Sequence, residues 1–450
     1  MEKKSFFMVF LISFLVLFLS ILFNKSLSSL LKIILSLLLF IISFILFFLL
    51  NKCQDNYKIK KEKELKEKLK QEEERKKKEE YEKLLQERKK HIEDLKKGGI
   101  NISNIQKTIK DTNIATNINI YQNDKIMITF YGGKLIIYSF DLIKYELNEL
   151  LYIKEFSYNA YNAFEMKQNK NFICVYGYPG IKIIEPSINN LSGKDNNGYK
   201  VIQFFDCSEY NKEIIKVIEL TNETLISAST DYLLFWNKNN NNEYELNGDK
   251  IINYTKYENL LKISNILKID EDNIVLLKVS NSNFTKSSIN FIAINDAKSK
   301  NSSEETKIID LKIIPLDDGN NNLCMINENL KIFCVGCING LGIFSGANKE
   351  LLHFVDFESQ INVIDLYFDK SLILFNKVKK ESEEGENQMA GYSYKLLQLK
   401  KDEKDENNYQ YKNTIEKTNN LFVDGINAMK CLNNGVIIIG DKNKNIQIWH

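Results

Sequence analysis

Two cysteines, Cys334 and Cys337, have the spacing of a reactive pair, with only Val and Gly between them. A Cys-x-x-Cys pair can supply half of a zinc site or form a redox-active dithiol. A zinc site needs four ligands, and neither a second such pair nor a nearby His completes the set. The pair also stands where a predicted strand enters its turn, and strand alternation can bury one or both sulfurs. We therefore predict a structural role for the pair.

The other residue types that could do chemistry are scarce or have the wrong surroundings. Three glycines near the cysteine pair, Gly336, Gly340 and Gly342, lack the following helix that a dinucleotide-binding loop requires. The chain has only three His, which is too few for a His-based metal cluster and argues against a Ser-His-Asp arrangement. The sequence thus predicts no catalytic, cofactor-binding or metal-binding residue, and a protein that is not an enzyme.

An acidic insertion, residues 381–386, has the sequence Glu-Ser-Glu-Glu-Gly-Glu. Its charge and lack of apolar residues favour an unstructured loop, and contact with a basic partner is the alternative interpretation.

The cysteines as a whole indicate a reducing compartment. There are seven, an odd number, and they are scattered along the chain without a repeating framework. The net charge of +2 gives no excess of the kind expected for a nucleic-acid-binding protein. Charge is nevertheless uneven, because residues 51–99 carry 18 Lys or Arg against 13 acidic residues.

Two uncharged apolar runs of 18 residues, 6–23 and 33–50, lie near the N-terminus and predict helices at about residues 6–23 and 30–50. A helix of 18 residues is about 27 Å long, close to the ~30 Å hydrocarbon core of a bilayer. Residues 1–52 are therefore predicted to form a transmembrane hairpin. A cleaved signal peptide followed by one span, and a signal anchor followed by an interfacial segment, are the alternatives. The lysines after Leu50 predict that the C-terminal bulk of the chain faces the cytosol.

Residues 53–99 are rich in Lys, Glu, Leu, Gln and Arg, and they contain neither Pro nor any Gly before Gly98 and Gly99. These residue types predict a long charged helix, supported by repeated Glu-to-Lys pairs four residues apart and ended by the two glycines. Tyr81, Leu84 and Ile92 belong to a partial apolar seam. The stalk is either a solvated single helix or a weak parallel coiled coil that would make a homodimer.

From residue 100 onward, short apolar runs separated by Asn, Asp and Gly replace the helical pattern. Seven times the chain shows an apolar strand, a polar turn and a second, more hydrophobic strand. In most copies a third strand follows and ends in a large apolar residue. The first strands of the copies include Ile118, Ala163, Val217, Ile266, Leu323, Val363 and Ala428. The third strands end near Tyr138, Ile184, Trp236, Ile294, Phe344, Leu397 and Trp449.

Segments such as 229–236 (Ser-Thr-Asp-Tyr-Leu-Leu-Phe-Trp) and 440–449 resemble WD40 repeats, whose pattern is small residues, an Asp-Gly turn, alternating Ile and then Trp-Asp. This chain lacks the full Trp-Asp pair in its clearest copies and has no Gly-His dipeptide before a first strand, so the buried Asp-His-Ser network of that family is not expected. The resemblance implies an all-β fold for residues 100–450, a seven-bladed WD40-like β-propeller. Residues 100–109 are expected to supply the outer strand of the last blade and so to close the ring. Two separate sandwiches are the alternative.

The predicted transmembrane hairpin and the resemblance together imply a membrane-tethered scaffold whose propeller presents a protein-interaction surface to the cytosol. The expected contacts are unidentified protein partners and the lipid bilayer, and nucleic acid is not among them. The expected location is an endomembrane such as the endoplasmic reticulum. The alternative is a membrane-anchored propeller that acts as an exchange factor for a small GTPase or as another propeller enzyme.

Overall fold

A computed structural model describes residues 3–24, 28–98, 105–154, 159–187, 198–210, 213–221, 223–254, 261–280, 287–294, 305–307, 323–337, 340–356, 361–368, 371–378, 391–401, 409–421 and 426–449. The chain divides into two compact units, residues 1–88 and 89–450. The acidic insertion at 381–386 lies outside the described residues.

The first unit is helical. Helix α1 spans Lys3–Phe23, and α2 spans Ser29–Gly98 as one 70-residue helix. The apolar run and the charged stalk are therefore continuous, and the helix ends at the first of the two predicted glycines. Ion pairs between residues four apart, Glu72 with Lys76 at 3.2 Å and Glu73 with Lys77 at 2.8 Å, lie on the charged part. Within the described residues, no helix was found with the length and apolarity needed to cross a bilayer.

The strands of the second unit form seven antiparallel sheets, called blades I to VII here in chain order. In blades I to VI the first strand in sequence lies at one edge of the sheet and its successors follow outward. Blade I contains β2 Ala115–Tyr121, β3 Lys125–Phe130, β4 Lys134–Asp141 and β5 Glu146–Lys154. Blade II contains β6 Asn159–Glu165, β7 Ile173–Tyr178, β8 Gly180–Pro186 and β9 Tyr199–Asp206. Blade III contains β10 Ile214–Glu219, β11 Thr224–Ser229, β12 Tyr232–Lys238, β13 Tyr244–Leu246 and β14 Ile252–Asn253.

The remaining blades follow the same plan. Blade IV contains β15 Leu261–Lys268, β16 Asn273–Ser280, β17 Ser287–Ala293 and β18 Glu305–Lys307. Blade V contains β19 Leu323–Asn327, β20 Ile332–Gly336, β21 Gly340–Ser345 and β22 Glu350–Asp356. Blade VI contains β23 Ile361–Tyr367, β24 Ser371–Val378, β25 Gly391–Lys401 and β26 Tyr409–Leu421. Blade VII contains β27 Ile426–Cys431, β28 Ile437–Asp441, β29 Asn445–Trp449 and the strand β1, Ile105–Lys110.

The first strand of each blade contacts the first strand of the next one, and β27 of blade VII contacts β2 of blade I. The sheets therefore form a ring around a central channel, which is the arrangement of a β-propeller and not of two sandwiches. Strand β1 pairs with β29 antiparallel, with Ile105 opposite Trp449 and Ile109 opposite Ile446. This confirms the prediction that the segment before the first repeat completes the last blade.

Among the described residues, apolar clusters fill six of the spaces between neighbouring blades, because facing sheets both present apolar side chains there. One cluster between blades II and III contains Phe205, Leu225 and Trp236, and another between blades VII and I contains Phe130 and Ile448. Of the predicted third-strand ends, Ile294 lies one residue beyond β17, and the others lie inside third strands. The side chain of Leu397 lies outside the described residues.

Three glutamates connect consecutive blades. Each accepts hydrogen bonds from the turn between the first and second strands of the preceding blade. Glu165 of blade II accepts a hydrogen bond from the backbone N–H of Gln122 in blade I. Glu219 of blade III accepts from the N–H groups of Lys167 and Gln168 in blade II, at 2.5 and 3.2 Å. Glu271 of blade IV accepts from the N–H of Thr221 in blade III at 2.7 Å. These inter-blade glutamates satisfy turn N–H groups that have no strand partner.

Candidate binding site in the central channel

The first strands carry a bulge near their start, which decides which side chains face the channel. In six blades the register shifts by one residue at this point, after Ala115, Ala160, Ile214, Ile263, Ile361 and Ile426. A bulge turns the following side chains toward the opposite face of the strand. The residues directly after the bulges in blades I, II and III are Asn117, Asn162 and Lys216, and all three line one cavity.

The cavity, called the channel site below, has a volume of about 170 Å³ and is lined by first strands of five blades. Asn119, Asp365 and Lys430 also line the cavity. Each lies two residues beyond the first residue after a bulge, which is Asn117, Val363 or Ala428. These polar residues alternate with buried apolar ones, such as Ile118, Val217 and Ile364, because a strand points successive side chains to opposite faces.

Asp365 and Lys430 form an ion pair between blades VI and VII. The Nζ of Lys430 lies 3.0 Å from the Asp365 carboxylate, which also accepts a 2.7 Å hydrogen bond from the backbone N–H of Cys431. Burial acts to lower the pKa of Lys430, but the adjacent carboxylate of Asp365 outweighs it, so that the pKa is raised above its ordinary value. Lys430 is therefore held in its protonated form by its ion pair with Asp365.

Lys216 has a different environment in the same cavity. Its side chain is half-buried, and among the described residues its Nζ has no ion-pair or hydrogen-bond partner. Burial lowers the pKa of Lys216, the nearby Cys324 acts to raise it, and the positive charge of Lys430 acts to lower it. Among the described residues, no acidic side chain forms an ion pair with Lys216 in the channel site.

The asparagines of the cavity differ in their hydrogen bonding: Asn119 has protein partners, whereas one atom of Asn117 has none. The Nδ2 of Asn119 donates to Oδ1 of Asn162 at 3.1 Å and to the carbonyl oxygen of Ala163 at 2.5 Å, which links blades I and II. The Oδ1 of Asn117 is buried and accepts no hydrogen bond from the protein. A buried acceptor without a hydrogen-bond donor destabilises the folded protein, so a ligand or water molecule that donates to this oxygen would be stabilising.

The residues that the sequence singled out lie elsewhere. Cys334 and Cys337 are fully buried in and directly after β20, where their thiols donate to the carbonyl oxygens of Cys324 and Val335 at 3.6 Å. Burial raises the pKa of the Cys337 thiol to about 12 and raises that of Cys334 as well, so both stay protonated. Gly336 ends β20, whereas Gly340 and Gly342 lie in β21. Gly340 is required there because an added Cβ would lie 2.2 Å from the carbonyl oxygen of Val355.

In the part of the chain that the structure describes, no group of three or more His, Cys, Asp or Glu side chains could hold a metal ion. His353 is exposed on β22, and the side chains of His91 and His450 lie outside the described residues.

A second surface feature lies on the outer strand of blade II. Val201, Ile202 and Phe204 are 41%, 39% and 44% exposed on β9, which is the last strand of its sheet. Lys182 lies over the Phe204 ring, with its Nζ 5.5 Å from the ring centroid, and Lys200 is exposed beside it. We call Val201, Ile202 and Phe204 the rim patch.

Sequence reasoning missed the channel site, although a signal was present. Polar residues interrupt the apolar first strands at Asn117, Asn162 and Lys216, and these are equivalent positions of successive repeats. Aligning the repeats on their polar turns would have placed these three residues at the same position of the first strand.

Four-stranded antiparallel blades whose first strands line a channel, with the ring completed by an N-terminal strand, define a WD40-like β-propeller. The β-propeller predicted from the repeats is thus confirmed. Among solved structures, the chain is similar to the WD40 β-propeller domain of Doa1, with 11% sequence identity and a TM-score of 0.48 over 77% of this chain and 96% of that one. No protein-family model and no curated protein matches the chain.

Proposed function

We propose that the protein is a membrane-tethered scaffold whose propeller binds a partner protein through the rim patch. The observation that carries this proposal is the exposure of three large apolar side chains on one outer strand. Exposed large apolar side chains are a feature of protein-binding surfaces, because their contact with water is unfavourable. Among the described residues, the groups with catalytic potential are either buried or isolated, which favours a binding function.

The partner that fits the rim patch is an extended segment with apolar and acidic side chains. The outer edge of β9 has no neighbouring strand among the described residues, so its free backbone groups can pair with an added strand. Lys182 and Lys200 place positive charge beside the apolar side chains, which favours acidic residues in the partner.

The rim patch is tested by the double variant Ile202→Lys, Phe204→Lys in the full chain. Two charges in a desolvated interface should abolish binding, whereas the fold should persist because both side chains are already exposed. Proximity labelling in cells should therefore lose a defined set of proteins. The matched control is Leu351→Lys, Leu352→Lys on the outer strand of blade V, where both residues are 39% exposed. Identical labelling by the rim variant and the unmodified protein would refute this surface as the binding site.

The membrane tether is supported by the apolar composition of residues 6–23 and 30–50 and by the exposure of their side chains. Val16, Phe23, Phe44 and Phe48 are each more than half exposed within the helical unit. Exposed apolar side chains along both helices would be covered by lipid. The lysines after Leu50 favour a cytosolic propeller. The charged part of α2 is then a cytosolic stalk, either as a single helix or as a weak coiled coil.

Deleting residues 1–50 tests the tether. The full chain should remain in the membrane fraction after alkaline extraction, and the truncated chain should become extractable. Protease added outside intact microsomes should digest the propeller, and the sequons at Asn222 and Asn253 should stay unmodified. A protected propeller that carries glycan at either position would place it on the lumenal side and contradict the proposed orientation.

A further inference from the structure

We propose that the channel site binds a phosphate group, held by Lys216 and by the carboxamide oxygen of Asn117. The ligand is the free hydrogenphosphate ion or a phosphate monoester in its singly protonated form, and each of these carries one O–H group. This inference goes beyond the scaffold function, because it concerns the channel and not the rim patch.

The charge of the lining residues is the first argument. The charged residues that line the cavity are Lys216, Lys430 and Asp365. The Asp365 carboxylate already pairs with Lys430 and accepts a hydrogen bond from the N–H of Cys431. One positive charge, that of Lys216, remains without a described counter-ion in a partly desolvated cavity. Such a charge is unfavourable in isolation and is stabilised by a bound anion.

The second argument is that the buried Oδ1 of Asn117 makes the site selective among anions. The buried Oδ1 of Asn117 needs a hydrogen-bond donor. At neutral pH a carboxylate and a sulfate offer only acceptor oxygens, whereas a hydrogenphosphate has charged oxygens and one O–H group. Its oxygens can accept from the Nζ of Lys216 while its O–H donates to Asn117.

The size of the cavity is the third argument. About 170 Å³ is well below the ~300–1,000 Å³ of sites for drug-sized ligands. A phosphate group with a few water molecules fits this space, whereas a whole nucleotide would leave most of its surface outside.

The first experiment compares inorganic phosphate with sulfate, using the full-length protein in detergent and isothermal titration calorimetry at neutral pH. Phosphate should bind at least tenfold more tightly than sulfate, because only phosphate supplies the O–H donor. Equal affinities, or no binding of phosphate, would overturn the proposal without any variant.

Variants then assign the residues. Lys216→Met should weaken phosphate binding at least tenfold, and Lys216→Arg should retain most of it. Asn117→Leu should remove the preference for phosphate over sulfate. The matched control is Lys110→Met on the exposed outer strand β1, which makes the same change in net charge and should bind phosphate like the unmodified protein. If Lys216→Met bound phosphate normally, or if Lys110→Met weakened it equally, the assignment would be wrong.

A competition experiment separates the two sources of phosphate. At about pH 6, near the second pKa of a monoester, a large part of phosphoserine carries the O–H group. Phosphoserine should then displace inorganic phosphate if the site binds a monoester presented by a larger molecule, and it should fail to do so if the cavity takes only the free ion. The rim-patch variant should bind phosphate normally in either case, so failure of the scaffold proposal can be distinguished from failure of this one.

Discussion

The two tryptophans of the chain, Trp236 on β12 and Trp449 on β29, are buried in third strands of the propeller. The ring of Trp236 is buried between blades II and III, 4.9 Å from the ring centroid of Phe205, and its Nε1 donates to Oγ of Ser227 at 2.8 Å. Trp449 is also buried, and its Nε1 donates to Oε1 of Gln447 at 3.0 Å. Both tryptophans are therefore core residues of the propeller.

Replacing Trp236 by Ala should destabilise the propeller by about 3–5 kcal/mol, because it leaves a cavity between two blades. Thermal and denaturant unfolding of the Trp236→Ala protein would measure this loss. Trp236→Phe keeps most of the ring and loses the hydrogen bond, so it should cost less. Unchanged stability of the Ala variant together with lost partner binding would show that Trp236 is a contact residue instead.

Asp111 connects the closing strand to blade I. Its carboxylate accepts from the N–H groups of Thr112 and Asn113, and it lies 2.7 Å from the Nζ of Lys134. Burial acts to raise the pKa of Asp111, but the ion pair and the hydrogen bonds outweigh it and hold the pKa below its ordinary value. The ionised form is therefore favoured by folding.

Because the pKa of Asp111 is lower in the folded state than in the unfolded state, its contribution is complete above the unfolded pKa of ~3.9 and is lost as pH falls below it. Asp111→Asn should reduce stability by roughly 1–2 kcal/mol at neutral pH, and the difference should shrink below about pH 4. Urea unfolding across this pH range measures it. Asp124→Asn is the control, because that side chain is 77% exposed in its ion pair with Lys125 and should have little effect. A pH-independent difference would exclude the ion pair as its cause.

At the scale of elements, the first strands have two tasks. Their bulges aim polar side chains into the channel, and the glutamates at or near their inner ends bind the turns of preceding blades. Glu219 is the best-connected of these glutamates, since its two oxygens accept from two consecutive N–H groups of blade II. Burial raises the pKa of Glu219, against the hydrogen bonds that lower it.

Glu219→Ala should destabilise the protein by about 1–3 kcal/mol, because two backbone N–H groups lose their acceptor. Glu219→Gln should be milder, since its amide oxygen can still accept. Glu223→Ala, in the neighbouring turn, removes an exposed side chain paired with Lys238 and should change stability by less than about 1 kcal/mol. Hydrogen exchange of the amides of Lys167 and Gln168 would locate the effect, and unchanged exchange in Glu219→Ala would rule out this contact as a blade connector.

At the scale of the whole molecule, ring closure depends on β1. This strand covers the edge of β29, and its Lys107 forms a 2.7 Å ion pair with Glu146 of blade I. An apolar strand edge left open pairs readily with other chains.

A chain that begins at Asp111 lacks β1 and should be insoluble or oligomeric. A chain that begins at Gly98 retains β1 and should be a soluble monomer. Size-exclusion chromatography and thermal unfolding of the two truncated proteins provide the comparison. Equal solubility and equal melting temperatures would mean that closure by β1 contributes little to the fold.

The sequence alone determined the features that depend on local patterns. Alternation of apolar residues and the polar turns located the paired strands of every repeat, since strand period and turn residues act over a few positions. Glycine at the end of the charged segment marked the end of α2 for the same reason. Closure by residues 100–109 followed from the repeat pattern, and the described strand is Ile105–Lys110.

The packing of the blades into a ring determines which polar side chains share a site. Asn117 and Lys216 lie on different blades, and they line one cavity because a bulge in each first strand shifts the alternation and the ring brings those strands together. The role of the inter-blade glutamates could not be predicted from the sequence either, because their partners are backbone N–H groups, which every residue type except proline has. The sequence specifies each blade through short-range patterns, whereas the channel site exists only after separate blades have packed around one axis.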